Sequence, residues 1–226
     1  MAGASSPSLP SLPSLPSLTS ESHPSRGRPP LPAPERVPAH VALIVDGNGR
    51  WAARRRRAPP ARHHRRCRGG RGPVPVVLSV LHRELWCGRR DRVPAALGRT
   101  LADFEQLTRG NRTLDLVFCV DYGACDELLR AAAELARDAA DGRLRPDRID
   151  VASLASRLYQ PGVPDVDLLI RTSGEHRISN FLLWQCAYAE LYFTDVLFPG
   201  FDRFALWQAV ADYAGRERRF GYAGAA

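Results

Sequence analysis

The stretch from Asp167 to Phe193, DLLIRTSGEHRISNFLLWQCAYAELYF, constrains this chain more than any other. It opens on an apolar run, Leu168, Leu169 and Ile170, that reads as a buried strand. A polar loop follows, then an apolar and aromatic segment. The loop carries Arg171, Thr172, Ser173, Gly174, Glu175, His176, Arg177, Ser179 and Asn180. Anion donors are therefore concentrated where a strand ends, and open α/β sheets bind ligands beyond the carboxyl ends of their strands. Two arginines with hydroxyls between them suit a phosphate or diphosphate, because a guanidinium presents a planar fork of donors. Glu190 lies in the apolar run beyond, where a lone carboxylate is costly unless paired or bound to a metal. The stretch predicts a diphosphate site served by a divalent cation.

The rest of the chain sets bounds on that reading. Its 226 residues suffice for one sizeable domain, and no apolar run is long enough to span a membrane. The N-terminus has no secretory pattern, so the expected location is cytoplasmic. Cys67, Cys87, Cys119, Cys125 and Cys186 are scattered without a CxxC pair, which fits free thiols in a reducing compartment. The net charge of +8 hints at nucleic acid, but residues 54–72 hold nine arginines and no acid, and the remainder is close to neutral. That run has no interleaved aromatics and belongs to no known reading module, so no nucleic-acid partner is expected.

Residues 1–36, with the repeat PSLPSLPSLPSL, read as a disordered Pro/Ser-rich tail. The folded domain is expected over 37–222, with a short tail at 223–226. Val41 to Val45 reads as a buried strand ending at Asp46-Gly47-Asn48-Gly49-Arg50-Trp51, where two glycines allow a tight turn and close backbone approach. A helix beginning there would aim free N–H groups at an anion, and Asp46 stands at the strand tip, placed for metal or proton work. Further expectations are a strand over Pro75 to Leu81, a helix over Arg92 to Gln106, a strand over Leu114 to Val120 and a turn at Asp121-Tyr122-Gly123. A helix follows over Glu127 to Ala140, with apolar positions Leu128, Leu129, Ala132, Leu135 and Ala136. Asp150 is expected to cap a short helix through Leu158, and Phe204 to Tyr213 has helical spacing. Strands alternating with helices imply a single α/β domain with a mostly parallel sheet flanked by helices.

Two separated blocks, HVALIVDGNGRWA (His40 to Ala52) and the Asp167 to Phe193 stretch, together resemble the cis-prenyltransferases, the undecaprenyl diphosphate synthase family. The resemblance continues through Glu105-Gln106-Leu107-Thr108, Tyr122-Gly123, the segment Leu158 to Asp165, and Arg218-Arg219-Phe220-Gly221. It implies an Mg²⁺-dependent transferase that joins isopentenyl diphosphate to an allylic diphosphate such as farnesyl diphosphate, making cis double bonds. By the same resemblance Asp46 assists Mg²⁺ binding and, with Asn48, the departure of the allylic diphosphate. Gly47, Asn48, Gly49, Arg50 and Trp51 match residues that hold that substrate, and Arg171, Arg177 and Ser179 match residues that hold isopentenyl diphosphate. Glu190 matches a metal-serving glutamate that typically acts from the partner subunit of a homodimer. A loose association with a membrane surface follows from a lipid product.

The middle of the chain departs from the family. Residues 54–90 are Arg-rich and aperiodic, and Pro59 and Pro60 break any helix there. A gap-free alignment puts His63 at the family's histidine and a one-residue slip puts His64 there, neither preceded by the family's glycine; the resemblance implies substrate binding for His63, Glu84 and Trp86. Glu84 and Trp86 match two positions of an aromatic-Ser-x-Glu-Asn-Trp segment. A helix and a strand of the family are expected to be missing, as in a frameshifted or mis-assembled stretch. An alternative function is therefore a catalytically impaired member that retains diphosphate binding.

Overall fold

The computed structural model describes residues 32–55 and 83–218. Among them lie five strands, β1 (Val41–Ile44), β2 (Arg83–Cys87), β3 (Asp115–Cys119), β4 (Leu168–Arg171) and β5 (Glu190–Phe193). Every pairing is parallel, as the alternation of strand and helix requires. The strands make two sheets, one ordered β1-β4-β5 and one joining β2 to β3. The helices are α1 (Asn48–Arg54), α2 (Ala95–Thr108), α3 (Ala124–Ala140), α4 (Val151–Ala155) and α5 (Arg203–Gly215). None of the described helices is long and apolar enough to cross a membrane.

Among the described residues no pairing joins the two sheets. The strand expected over Pro75 to Leu81 and His63 both lie outside the described residues, as does the tail before residue 32. On the far side of β2, helix α2 stands in for a neighbouring strand. Thr108 Oγ1 accepts the Glu84 N–H at 2.9 Å and Glu105 Oε1 accepts the Trp86 N–H at 2.7 Å. These side chains satisfy backbone donors that an edge strand would otherwise leave open.

β4 is the centre of the core. Leu168, Leu169 and Ile170 have no exposed surface, and each contributes roughly 1.5–3 kcal/mol of burial. Successive residues point to opposite faces, so Leu168 and Ile170 pack on α5 through Ala209 and Tyr213, while Leu169 joins Ala42, Cys87 and Tyr122 on the other side. β5 occupies Glu190–Phe193, which the sequence reading left inside a general apolar segment.

Two helices differ from expectation for physical reasons. α3 starts at Ala124, three residues early, because Asn180 reaches over from the β4–β5 loop. The Asn180 carbonyl accepts the Ala124 N–H at 3.0 Å and its Oδ1 accepts the Cys125 N–H at 2.8 Å. The buried face of α3 is Ala124, Glu127, Ala131 and Leu135, leaving Leu129 exposed. Glu127 enters the interior because its oxygens accept the Tyr122 hydroxyl at 2.6 Å and the Tyr159 N–H at 2.8 Å. α4 is capped by Asp150 as expected, in a reciprocal box with Ser153, and ends at Ala155.

Asp167 fastens the amino ends of β1 and β4. Its Oδ2 accepts the Ala39 and His40 N–H groups at 2.9 and 3.1 Å, and Arg218 Nη1 donates to Oδ1 at 2.8 Å. Burial raises the Asp167 pKa, but the His40 N–H, Arg218 and the Ala39 N–H outweigh it and hold the carboxyl below its usual value. A depressed folded pKa contributes stability above the unfolded value of about 3.9, lost as pH falls through the lower folded value. Thermal unfolding followed by circular dichroism from pH 7 downward is expected to show this acid loss, reduced in Asp167→Asn. An unchanged pH profile in that variant would refute the role.

Candidate active site

The site forms where β1 and β4 end side by side, with Ile44 in register with Arg171. Each strand runs on into a polar loop, so residues far apart in sequence meet at the same sheet end. Thr172, fully buried, joins the loops: its hydroxyl accepts the Asp46 N–H and donates to the Asp46 carbonyl, both at 2.8 Å. Behind them the segment after β5 closes the floor, with the Phe198 N–H on the Asp46 carbonyl at 3.0 Å and the Ser173 N–H on the Val196 carbonyl at 2.9 Å.

Gly47 has φ +98°, and a Cβ there would lie 2.8 Å from Leu197 Cδ2 and 3.0 Å from Ser173 Cβ. Glycine is required on both grounds. The turn delivers the chain into α1, which begins at Asn48, and a Cβ at Gly49 would meet nothing within 4 Å. The second glycine thus leaves open space beside the backbone, and Trp51 lies one turn into the helix under the Arg55 guanidinium at 4.5 Å.

Asp46 and Arg171 form the inner pair. Asp46 Oδ1 accepts the Gly47 N–H at 2.6 Å, and Arg171 Nη2 donates to Oδ2 at 3.1 Å. Burial raises the Asp46 pKa, but the Arg171 hydrogen bond, the Gly47 N–H and Ser173 prevail and hold it below the ordinary carboxylate range. Asp46 is therefore an anion at neutral pH, unsuited to donating a proton and suited to a cation. The Arg171 side chain is 6% exposed, and its Nη1 donates to Ser179 Oγ at 2.8 Å and to the Arg177 carbonyl. Its Nε has no partner among the described residues, a buried donor awaiting an acceptor.

The outer shell is Arg50, Ser173, Glu175 and Arg177. Arg50 Nη2 donates to Ser173 Oγ at 2.6 Å and lies 3.8 Å from both Asp46 and Glu175, while Arg177 pairs with Glu175 at 2.6 Å. Ser173, Ser179 and Asn180 hold left-handed backbone at φ 82°, 50° and 61°. Such conformations cost of order 1–3 kcal/mol each in non-glycine residues and gather at functional loops. Thr172, Ser173 and Glu175 are additions to the expected set, and the RTSGE run that carries them was the available signal.

The structure thus brings together Asp46, Gly47, Asn48, Gly49, Arg50, Arg171, Arg177 and Ser179. It does not bring in Glu84 and Trp86. Both are buried within β2, where Trp86 Nε1 donates to the Val120 carbonyl at 3.2 Å and Gln160 bonds the Trp86 carbonyl at 2.9 Å. They are strand residues of the second sheet. Glu190 lies at the amino end of β5, in register with Leu168, so it stands at the opposite end of the sheet from Asp46. There its Oε2 takes Arg216 at 2.8 Å. Within one chain Asp46 and Glu190 do not share a cation, and no cluster of three or more metal-ligating side chains occurs among the described residues.

Comparison with known proteins places this geometry. A family model described as putative undecaprenyl diphosphate synthase matches residues 80–221. The chain is 41% identical over 245 residues to a trans,polycis-polyprenyl diphosphate synthase, (2Z,6E)-farnesyl diphosphate specific, of Thermobifida fusca, covering 89% of this chain and 86% of that protein. It is 38% identical over 232 residues to decaprenyl diphosphate synthase of Mycobacterium tuberculosis, covering 84% and 78%. Among solved structures it resembles lavandulyl diphosphate synthase of Lavandula x intermedia in complex with dimethylallyl diphosphate, with TM-score 0.74, 28% identity and coverage of 83% and 100%. The 245 aligned positions exceed the 226 residues of this chain, so a stretch of the Thermobifida protein faces a gap here. The family match begins just before β2 and runs through α5. The chain belongs to the undecaprenyl diphosphate synthase family.

Proposed function

We propose that this protein elongates a cis-prenyl chain, condensing isopentenyl diphosphate with an allylic diphosphate such as farnesyl diphosphate. The observation that carries the reading is the paired loop ends of β1 and β4, which gather Asp46, Arg50, Arg171, Ser173 and Ser179 around a buried guanidinium with an orphaned N–H. In the reaction the allylic carbon–oxygen bond breaks, the isopentenyl double bond captures the allylic carbon, and a proton is lost. The protein needs to hold two diphosphates, neutralise the one that leaves and align the two carbons. Arg171 and Ser179 are assigned to isopentenyl diphosphate, with Arg177 beside them. The Gly47-Asn48-Gly49-Arg50 turn and Trp51 are assigned to the allylic substrate.

Mg²⁺ fits this donor set through Asp46, an ionised and partly exposed carboxylate, with substrate oxygens and water completing its shell. When bound it supplies charge neutralisation for the departing diphosphate. Glu190 serves a cation only from a second subunit, so its metal role and the homodimer stand or fall together. A cytoplasmic location, loose contact with a membrane surface through the lipid product, and a domain spanning 37–222 complete the proposal.

The test is incorporation of labelled isopentenyl diphosphate into an organic-extractable product, with farnesyl diphosphate and Mg²⁺ present. Label in a polyprenyl product is the expected result. The Arg-rich stretch at 54–90 favours one competing reading, an impaired member of the family. Diphosphate binding without incorporation would replace the first reading by that one.

A further inference from the structure

We infer that Glu175 is a built-in counter-ion, occupying the outer diphosphate position until substrate displaces it; the inference rests on the diphosphate reading above. One carboxylate oxygen lies 2.6 Å from Arg177 Nη1 and the other 3.8 Å from Arg50 Nη2. Two oxygens on one centre, each facing a different guanidinium, reproduce on a smaller scale what a phosphoryl group offers. Glu175 also links the two halves of the site, since Arg50 belongs to α1 and Arg177 to the loop after β4.

The loop fixes the backbone that carries Glu175 and leaves its side chain to turn. Ser173 and Gly174 both have left-handed backbone, at φ 82° and 76°, which turns the chain so that Glu175 comes back towards α1. The Gly174 N–H bonds the Thr194 carbonyl at 2.9 Å, and a Cβ at Gly174 would lie 2.6 Å from Asp195 Oδ1. The arginine side chains are 48% and 65% exposed, against 30% for Glu175. A diphosphate bringing at least two more negative charges competes for both guanidiniums and leaves Glu175 like-charged beside it, so Glu175 must move aside. Its presence stabilises the unliganded site and weakens diphosphate binding. It is a positioning residue that sets affinity and takes no part in bond making.

The experiment is calorimetric titration of the full chain with inorganic pyrophosphate, with and without Mg²⁺, for the wild type and Glu175→Gln, alongside thermal melts. Glutamine keeps the shape and removes the charge. The expected result is binding about five- to tenfold tighter in Glu175→Gln, together with a lower melting temperature of the unliganded variant. Simple structural damage would lower both. Glu175→Asp, which keeps the charge, is expected to stay near wild-type affinity. Wild-type binding with no gain in Glu175→Gln overturns this inference alone. Absence of pyrophosphate binding in both proteins overturns the diphosphate reading and this inference with it.

Discussion

Asp46→Ala is expected to lower kcat for prenyl transfer by about 10³-fold, the scale seen when a group facing developing charge is removed from a preorganised site. The carboxylate faces Arg171 and the Gly47 N–H and retains an accessible oxygen, so alanine removes an anion, a hydrogen-bond acceptor and the proposed cation ligand at once. Asp46→Asn separates these roles. Asparagine keeps an oxygen for the Gly47 N–H and loses the charge. If Asp46 only shapes the turn, the asparagine variant recovers most of the rate; if the charge matters, it stays near the alanine variant. Steady-state incorporation of labelled isopentenyl diphosphate across a Mg²⁺ series measures the difference. Turnover in Asp46→Ala close to wild type would remove Asp46 from the mechanism.

Arg171→Lys is expected to cost about 10²-fold in kcat/KM for isopentenyl diphosphate, although the charge is kept. The planar fork spans Asp46, Ser179 and the Arg177 carbonyl at once, which a single ammonium cannot do from that depth. Arg171→Met removes the charge as well, leaves Asp46 without its closest cation and is expected to destabilise the protein by about 1–2 kcal/mol, since Asp46 is partly exposed and keeps Arg50 nearby. Urea unfolding and initial-rate kinetics on the same preparations distinguish the two effects. Lysine at wild-type efficiency would show that charge alone suffices and would overturn the bidentate reading.

Much of this site was legible because its chemistry is concentrated in two short runs. The DGNGRW and RTSGEHRIS segments carry charges and glycines whose roles depend on neighbours a few residues away, and both follow apolar runs recognisable as strands. What could not be read was pairing at long range. Within the chain the carboxylate of Glu190 pairs with Arg216 at the amino end of the sheet, and no local pattern announces that partner. Glu127 was hidden for the converse reason: its acceptors are satisfied by Tyr122 and Tyr159, so a charged residue lies on the inner face of α3.

Glu84 and Trp86 show a different limit. Their letters were legible, but not their place in Arg83–Cys87, a strand in register with Asp115–Cys119 and anchored by α2 through Thr108 and Glu105. Register depends on the whole face of a strand and on the helix behind it, and two matching letters do not report it. The strand order β1-β4-β5 was equally out of reach, because it turns on which edges meet.

The joining of β1 to β4 has a consequence for how the protein comes to exist. The Asp46–Arg171 bond closes over 125 residues and the Asp46–Thr172 bond over 126. Contacts of such separation are slow to form and make the folding nucleus depend on distant parts of the chain. During synthesis, at roughly 5–20 residues per second, β1 must wait for many seconds before its partner leaves the ribosome. The nascent chain spends that interval with an apolar strand and the Asp46 loop, without the Arg171 and Thr172 that later fasten it. Catalytic competence therefore arrives late, and an interruption of translation between Trp51 and Arg171 yields a polypeptide with a recognisable first motif and no site.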